Sequence, residues 1–449
     1  MKILNQNKYL NNIFITLLFS CFKLNGMAQT VSIKDLPRVS IDQTVNTSAN
    51  SSFEKLINEI HNFNNYPSLD KFTGEHIFFM QDSVFGNVPF KLYIPENYDP
   101  SQRHTVILLL HGAVGQSKFS DAENSKVQPD DDPFYSKLCN SNFIVVKPFA
   151  DPGKGFDWAA NSFGGSKNYT FSTLENIIYE LKKTINFDDS KVFVFGHSDG
   201  SDGAFAFDLY KPTIFAGMIA YNSKLSNIFA HDLYIANAVN RPLRLVHSDK
   251  DDIRPIQQTR DIVKILDSLH VPLEYKEYFG YTHEDKHLDI DYPNSIKFIT
   301  NTFRNPYPKQ LYWETSNSLF EGLSWIEVNS WDLNLPRAAW HKIFNLKAYN
   351  KKMQSYFPFD YYKLDESAAI KAEIHNNTIN ILTSRITKFT LLISPKMLDL
   401  NKQISVVVNN KELFKKLVKP DKNFYLGQLK KSQDKSIVWV NSITINLVN

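Results

Sequence analysis

The sequence predicts an α/β fold, a mostly parallel sheet with helices on both faces, followed by a smaller all-β C-terminal domain. Three observations predict it. Strand-like and helix-like patterns alternate from residue 105 to 305, the signature of parallel strands joined by crossover helices. Thr105-Val-Ile-Leu-Leu-Leu110 is apolar on both faces, as a central strand between two helix layers must be. After Asn305-Pro-Tyr-Pro308, where two prolines interrupt regular structure, short β-rich runs take over. At 449 residues the chain is long enough for two domains.

Residues 1–28 have the pattern of an export signal: lysines at Lys2, Lys8 and Lys23, the apolar run Ile13 to Phe22, then Gly26-Met-Ala28 with small residues at −3 and −1. Cleavage is expected before Gln29, giving a secreted or periplasmic protein; acylation at Cys21 is the competing reading. The run is too short for a permanent span, so no integral membrane association is expected. Removing three lysines from 50 basic residues leaves 47 against 47 acidic ones. A neutral chain offers no broad basic field for nucleic acid or anionic lipid. Without Cys21, Cys139 is the one remaining thiol, so no internal disulfide is expected.

Residues 29–75 read as a lead-in carrying one amphipathic segment, Phe53 to Ile60. Between 76 and 305 the strands are expected at 76–80, 88–94, 105–110, 143–146, 191–195, 215–220, 243–246 and 273–278, with an amphipathic helix over 256–269. A helix starting near Ser172 is expected to be capped by Ser172 or Thr173, with Glu175 completing a capping box. The loop before it carries Asp157, Trp158 and Asn161, read as residues that fasten the loop rather than line a pocket.

The chemistry concentrates after the strand at 191–195, in Gly196-His-Ser-Asp-Gly200, which runs into the helical pattern Ser201 to Tyr210. Strand, glycine-flanked turn and helix form an elbow with Ser198 at its apex, a candidate nucleophile. Gly196 and Gly200 suit a strained apex where neighbouring backbone passes too close for a Cβ, and Gly203 lets the helix approach the sheet. At the end of the strand at 105–110, His111-Gly-Ala-Val-Gly115 is the expected position of an oxyanion donor, assigned to the N–H of Ala113; the N–H of Asp199 is the second. A serine hydroxyl needs a histidine to take its proton and a carboxylate to orient that histidine. In this chain order the acid follows the serine and the histidine comes last. His247-Ser-Asp-Lys-Asp-Asp-Ile-Arg-Pro255 supplies Asp251, with Asp252 as the fallback, and Phe279-Gly-Tyr-Thr-His283 supplies the base His283. His247 and His287 are read as structural. His283-Glu284-Asp285-Lys286-His287 also spells the zinc-protease signature, but its flanks, Gly280 before it and Pro293 after it, argue against the stable helix that such a site requires. The triad reading requires no metal and no organic cofactor.

On the motifs Leu110 to Gly115, Gly196 to Gly203, His247 to Pro255 and Gly280 to His283, residues 76–305 resemble the α/β-hydrolase fold. Within it they are similar to secreted esterases of the polyhydroxybutyrate depolymerase and feruloyl esterase type, with prolyl-oligopeptidase-like peptidases close behind. The resemblance implies Ser198, Asp251 and His283 as a triad, a two-amide oxyanion hole, and a small-molecule or polymer-borne ester as substrate. Ser248 stands where such proteins often carry glycine, and Ser201 where a second glycine is frequent. A peptide substrate uses the same centre, and a binding protein that kept the fold without turnover is a further alternative.

In residues 306–449, four of the six tryptophans fall between Trp313 and Trp340, among them Trp325 and Trp331. Packing in a small β-sandwich is the principal reading of these residues; carbohydrate contact through the aromatic faces is the second, suiting an esterase that acts on acylated polysaccharide.

Overall fold

A computed structural model describes residues 31–39, 52–124, 130–159, 168–224, 232–319, 322–344, 347, 349–350, 352–356 and 366–447. The expected export signal, with Cys21, lies outside them, as does Asn161. Among the described residues no helix is long and apolar enough to cross a membrane.

Nine strands form one sheet: β1 (Val31–Ser32), β2 (Gly74–Asp82), β3 (Gly86–Ile94), β4 (His104–Leu110), β5 (Ile144–Pro148), β6 (Phe187–His197), β7 (Gly217–Tyr221), β8 (Leu243–Ser248) and β9 (Leu273–Tyr278). Their spatial order is β1-β2-β3-β5-β4-β6-β7-β8-β9. β2 and β3 pair antiparallel, β3 joins β5 antiparallel, and β4 to β9 run parallel. This is the mostly parallel sheet that the alternating pattern predicts, consistent with the α/β-hydrolase fold that the motif resemblance implies. The helices include α1 (Phe53–His61), α2 (Tyr135–Asn140), α3 (Thr170–Leu181), α4 (Asp199–Tyr210), α5 (Ile256–Ser268) and α6 (His287–Asn301).

Alternation along β4 sorts its side chains between the two layers. Val106, Leu108 and Leu110 belong to the cluster with Leu174, Ile178 and Phe207, whereas Ile107 and Leu109 join Leu138, Leu288 and Phe298. All five of these residues have no exposed surface, as a strand sandwiched by helices requires. The expected cap of α3 is different. Ser172 and Thr173 lie inside the helix, whose first residue is Thr170, and the N-cap Tyr169 makes no side-chain cap. Asn168 takes that part: its Oδ1 accepts from the Thr170 N–H at 2.8 Å. Glu175 pairs instead with Lys211 at 3.0 Å.

Beyond residue 305 two sheets face each other. One is β10 (Gln310–Thr315), β15 (Ala368–His375), β16 (Thr378–Ser384), β18 (Ile404–Val408) and β19 (Lys411–Lys416); the other is β11 (Gly322–Leu323), β12 (Ile326–Trp331), β17 (Ile386–Ile393) and β20 (Asn441–Asn446). A short pair, β13 (Tyr349–Asn350) and β14 (Ser355–Tyr356), and helix α7 (Lys422–Ser432) complete this β-rich part. Trp313 and Trp325 are core residues here, at 1% and 0% exposure, so packing accounts for both. The core of the sandwich is continuous with that of the large sheet. Residues 31–72 also do more than lead in. β1 extends the large sheet along β2, and α1 buries Leu56 and Ile60 against Tyr425 and Leu429 of α7. A buried ionic seam joins the large-sheet part to the C-terminal part: Arg304 donates to Asp434 at 2.6 Å, and Lys182 lies 2.7 Å from Asp189 and 3.6 Å from Asp434.

One buried acid stands outside such pairing. Asp208 on α4 has no exposed surface, and neither carboxylate oxygen has a hydrogen-bond partner among the described residues. Desolvation holds its carboxyl well above the usual carboxylate range, only partly opposed by Arg241. In the unfolded chain Asp208 ionises near pH 4, while in the fold it stays neutral. Its contribution to stability is therefore fully present below that pH and is lost as pH rises toward the folded value. Asp208→Asn is expected to raise the melting temperature at pH 8, with the difference vanishing below about pH 4. Melting curves across this range check it; an unchanged gap at pH 3.5 and 8 would refute the buried-acid account.

Candidate active site

Strand register carries the predicted residues to one edge. Leu110 pairs with Gly196, His197 with Tyr221, Tyr221 with Val246 and Ser248 with Tyr278. The turns following β4, β6, β7, β8 and β9 therefore emerge side by side at the carboxyl ends of the strands. β4, flanked by β5 and β6, marks the point where strand order reverses, a common ligand position in such sheets.

The elbow is built as its glycines require. Ser198 has φ 56° and ψ −125° and caps α4. A Cβ on Gly196 would sit 2.1 Å from the Gly200 carbonyl oxygen, and one on Gly200 would sit 1.8 Å from that of Leu110. Any side chain at either position would push the elbow out of the sheet. Gly203 meets Leu110 and Trp158 within 2.8 Å of its virtual Cβ, which lets α4 close onto β4.

Ser198 Oγ lies 2.9 Å from His283 Nε2, and His283 Nδ1 lies 2.7 Å from Asp251 Oδ2. Because an ionised carboxylate can only accept, Nδ1 carries the hydrogen and Nε2 is left to accept from the serine hydroxyl. Burial alone would raise the pKa of Asp251. Hydrogen bonds from His247, His283, Asn222 and the Arg254 N–H outweigh it and hold the carboxyl far below the usual range. Asp251 therefore stays ionised throughout the range in which a histidine titrates. Asp252, the fallback, is exposed on the same loop.

Four further residues complete the setting. Asn222, at φ 54° after β7, donates to Asp251 Oδ2 and Ser248 Oγ at 2.7 Å each, and its Oδ1 accepts from His287 Nε2 at 3.0 Å. His197 Nε2 donates to the His283 carbonyl at 3.2 Å, and burial lowers its pKa to about 3, so it is neutral. Arg254 bridges Asp199 and Asp202, while its own N–H donates to Asp251 Oδ1 at 2.7 Å. Asp199 Oδ2 in turn accepts from the Val114 N–H at 2.9 Å. Asn222 and Arg254 escaped sequence reasoning because their roles depend on distant partners. The signals were faint: a polar residue at a strand end, and an arginine within the acid loop.

The turn after β4 is placed beside the elbow. A Cβ on Gly112 would lie 3.2 Å from Ser198 Cβ, and Ala113 adopts the left-handed conformation at φ 51°. His111 Nδ1 lies 2.7 Å from the Gly112 carbonyl, and its Nε2 accepts from the Ala150 N–H at 3.2 Å. The ring therefore donates through Nδ1 and anchors the Gly112 carbonyl, and in a trans peptide the Ala113 N–H points the opposite way. Burial drops the His111 pKa to about 4, keeping this tautomer neutral. Trp158, fully buried, donates to the His111 carbonyl at 3.1 Å, and Asp157 bonds the Ala159 N–H at 2.6 Å. Both thus fasten the loop, as expected.

His283 and His287 do not form the metal pair that their spacing spells. α6 begins only at His287, so His283 lies in the preceding bend. The helix itself was not expected; it accommodates Pro293 because Leu288, Phe298 and Ile299 are buried and Asp291 bonds Arg244 at 2.7 Å. The one potential ligand group here among the described residues is His197, His283 and Glu284.

Residues 83–253 match the family model Esterase, less than half of the chain. No curated protein matches it. Among solved structures, a thermostable esterase is 18% identical with a TM-score of 0.41 over 51% of this chain and 63% of that one. A ferulic acid esterase is 16% identical, TM-score 0.38, over 51% and 98%. Dipeptidyl peptidase 4 of Porphyromonas gingivalis is 13% identical, TM-score 0.40, over 51% and 35%.

Proposed function

We propose that the chain is an exported serine hydrolase that cleaves carboxylic esters through an acyl-enzyme. The observation that carries this reading is the hydrogen-bonded chain from Ser198 Oγ through His283 to Asp251, set on a strained elbow beside the Gly112–Ala113 peptide. The esterase model matched over 83–253 supports the ester as the bond cleaved.

His283 Nε2 takes the Ser198 proton as Oγ attacks the ester carbonyl carbon. The carbonyl oxygen becomes an oxyanion held by the N–H groups of Ala113 and Asp199, the latter among the first helical N–H groups without an intrahelical acceptor. The imidazolium, balanced by ionised Asp251, returns the proton to the leaving alcohol oxygen. Water then gives its proton to Nε2 and its oxygen to the acyl carbon, and Ser198 recovers the proton as the carboxylic acid departs.

The test pairs p-nitrophenyl esters and aminoacyl anilides with a fluorophosphonate probe mapped by mass spectrometry. Ester turnover with labelling on Ser198 is the expected result. Turnover of anilides alone would move the reading to a peptidase, and turnover without Ser198 labelling would defeat it. N-terminal sequencing of exported protein beginning at Gln29 tests the export signal.

A further inference from the structure

From the cleft between the large sheet and the β-sandwich we infer a second, non-catalytic binding site that takes a chain of pyranose sugars. The cleft encloses about 700 Å³, within the ~300–1,000 Å³ range of ligand sites, and such sites favour the junctions between structural units. It is bounded by Asn240 and His270, which precede β8 and β9, and by the outer face of β10, β15 and β16. Ser198, Asp251 and His283 follow the opposite ends of their strands. The length of a six-residue strand, roughly 20 Å, therefore separates the two sites.

The lining selects the ligand class. Trp340, left half-exposed while Trp313 and Trp325 are buried, stands at 85° to Tyr312 with ring centres 6.4 Å apart. Lys371 places its ammonium 4.9 Å from the Trp340 ring and 5.8 Å from that of Tyr312. Around this corner are Gln310, Asn380 and Glu373, all exposed, with Gln310 bonded to Glu373 at 3.0 Å. An apolar ligand would leave these polar groups unpaired, and a polyphosphate would meet the Glu373 carboxylate. A sugar ring presents an apolar C–H face to an indole, and hydroxyls that both donate and accept to amides, ammonium and carboxylate. Lys371 is exposed on a flexible stem and can yield the indole face to a ring while bonding its hydroxyls.

The aromatic corner is also held in place. His341, next to Trp340 and 2% exposed, has Nε2 at 2.8 Å from Glu314 and Nδ1 at 2.9 Å from Ser384 Oγ. The Ala338 N–H donates to the same hydroxyl at 3.0 Å, and Tyr312 donates to Glu314 at 2.8 Å. A buried carboxylate and imidazole thus anchor a segment whose neighbouring side chain faces open space, the support that a preformed binding surface needs.

Calorimetric titration of the full chain with xylohexaose, cellohexaose and oligogalacturonate tests the inference. Saturable binding of at least one, with Kd below about 1 mM, is expected. Trp340→Ala should weaken it at least about tenfold while p-nitrophenyl acetate turnover stays within about twofold, and Ser198→Ala should bind as the parent does. Should Trp340→Ala fail to fold, Lys371→Met and Asn380→Ala, both exposed changes, must each weaken binding. Absence of saturable binding to all three sugars, or binding that none of these variants alters, overturns the site. Loss of ester turnover in Ser198→Ala is read separately, so the two proposals fail independently.

Discussion

Ser198→Ala is expected to lower ester turnover by about 10⁴- to 10⁶-fold while leaving the melting temperature within a few degrees of the parent. In the proposed mechanism the substitution removes the atom that forms the acyl-enzyme. The methyl group keeps the backbone restraint at φ 56°, and Oγ contributes little packing because the residue is half-exposed. Residual hydrolysis would come from the polarising amides and from His283 acting on water. Turnover within tenfold of the parent would remove Ser198 from the mechanism, and collapse of the fold would show as a lost melting transition rather than a lost rate. Saturating p-nitrophenyl ester kinetics with thermal melts on the same preparation distinguish the two.

Arg254→Met is expected to cost roughly 3–5 kcal/mol of stability, because it strands buried negative charge. Arg254 is 5% exposed and is shared between Asp199 and Asp202, with the Asp202 contact at 2.5 Å. Asp202 is itself buried, and its other oxygen accepts from Ser223 at 2.9 Å and from the Lys224 N–H at 2.7 Å. Turnover should fall as well, for a separate reason. Asp199 holds the Val114 N–H, and Arg254 sits on the loop that bonds Asp251, so one guanidinium ties the elbow, the turn after β4 and the loop after β8 together. Adding Asp199→Asn and Asp202→Asn should recover much of the melting temperature by removing the stranded charge, yet leave kcat depressed with KM little changed. Full recovery of kcat in that triple variant would reduce Arg254 to a purely structural role. Arg254→Lys should rescue only in part, since a point charge cannot span two carboxylates as a planar fork does.

The legible and illegible parts of the site differ in the range of the interactions involved. Gly196, Ser198 and Gly200 were readable because the elbow is strand, turn and helix in one contiguous stretch, and its steric demands fall on residues two apart. Asp251 and His283 were readable as candidates because chain order and strand ends limit the choices, whereas which carboxylate lies against Nδ1, Asp251 rather than Asp252, depends on the folded loop. Asn222 could not be read. Its partners Ser248, Asp251 and His287 lie 26, 29 and 65 positions away, and no local pattern encodes such contacts. Local signals also misled. The capping box at Ser172 to Glu175 was spelled correctly, yet Asn168 supplies the acceptor, because Thr170, two residues before the predicted start, is held by the Asp157 N–H. Pro293 looked like a helix break, but burial of Leu288, Phe298 and Ile299 outweighs one missing hydrogen bond.

By itself the sequence determined the α/β architecture, the serine elbow and the β-rich C-terminal part, because periodicity, glycine sterics and strand-ending turns act over a few residues. Tertiary structure alone decided what required distant surfaces to meet: the docking of α1 on α7, the Arg254 bridge and the division of tryptophans between core and cleft. Burial and hydrogen-bond geometry set those outcomes, and both depend on neighbours that become adjacent only once the chain has folded.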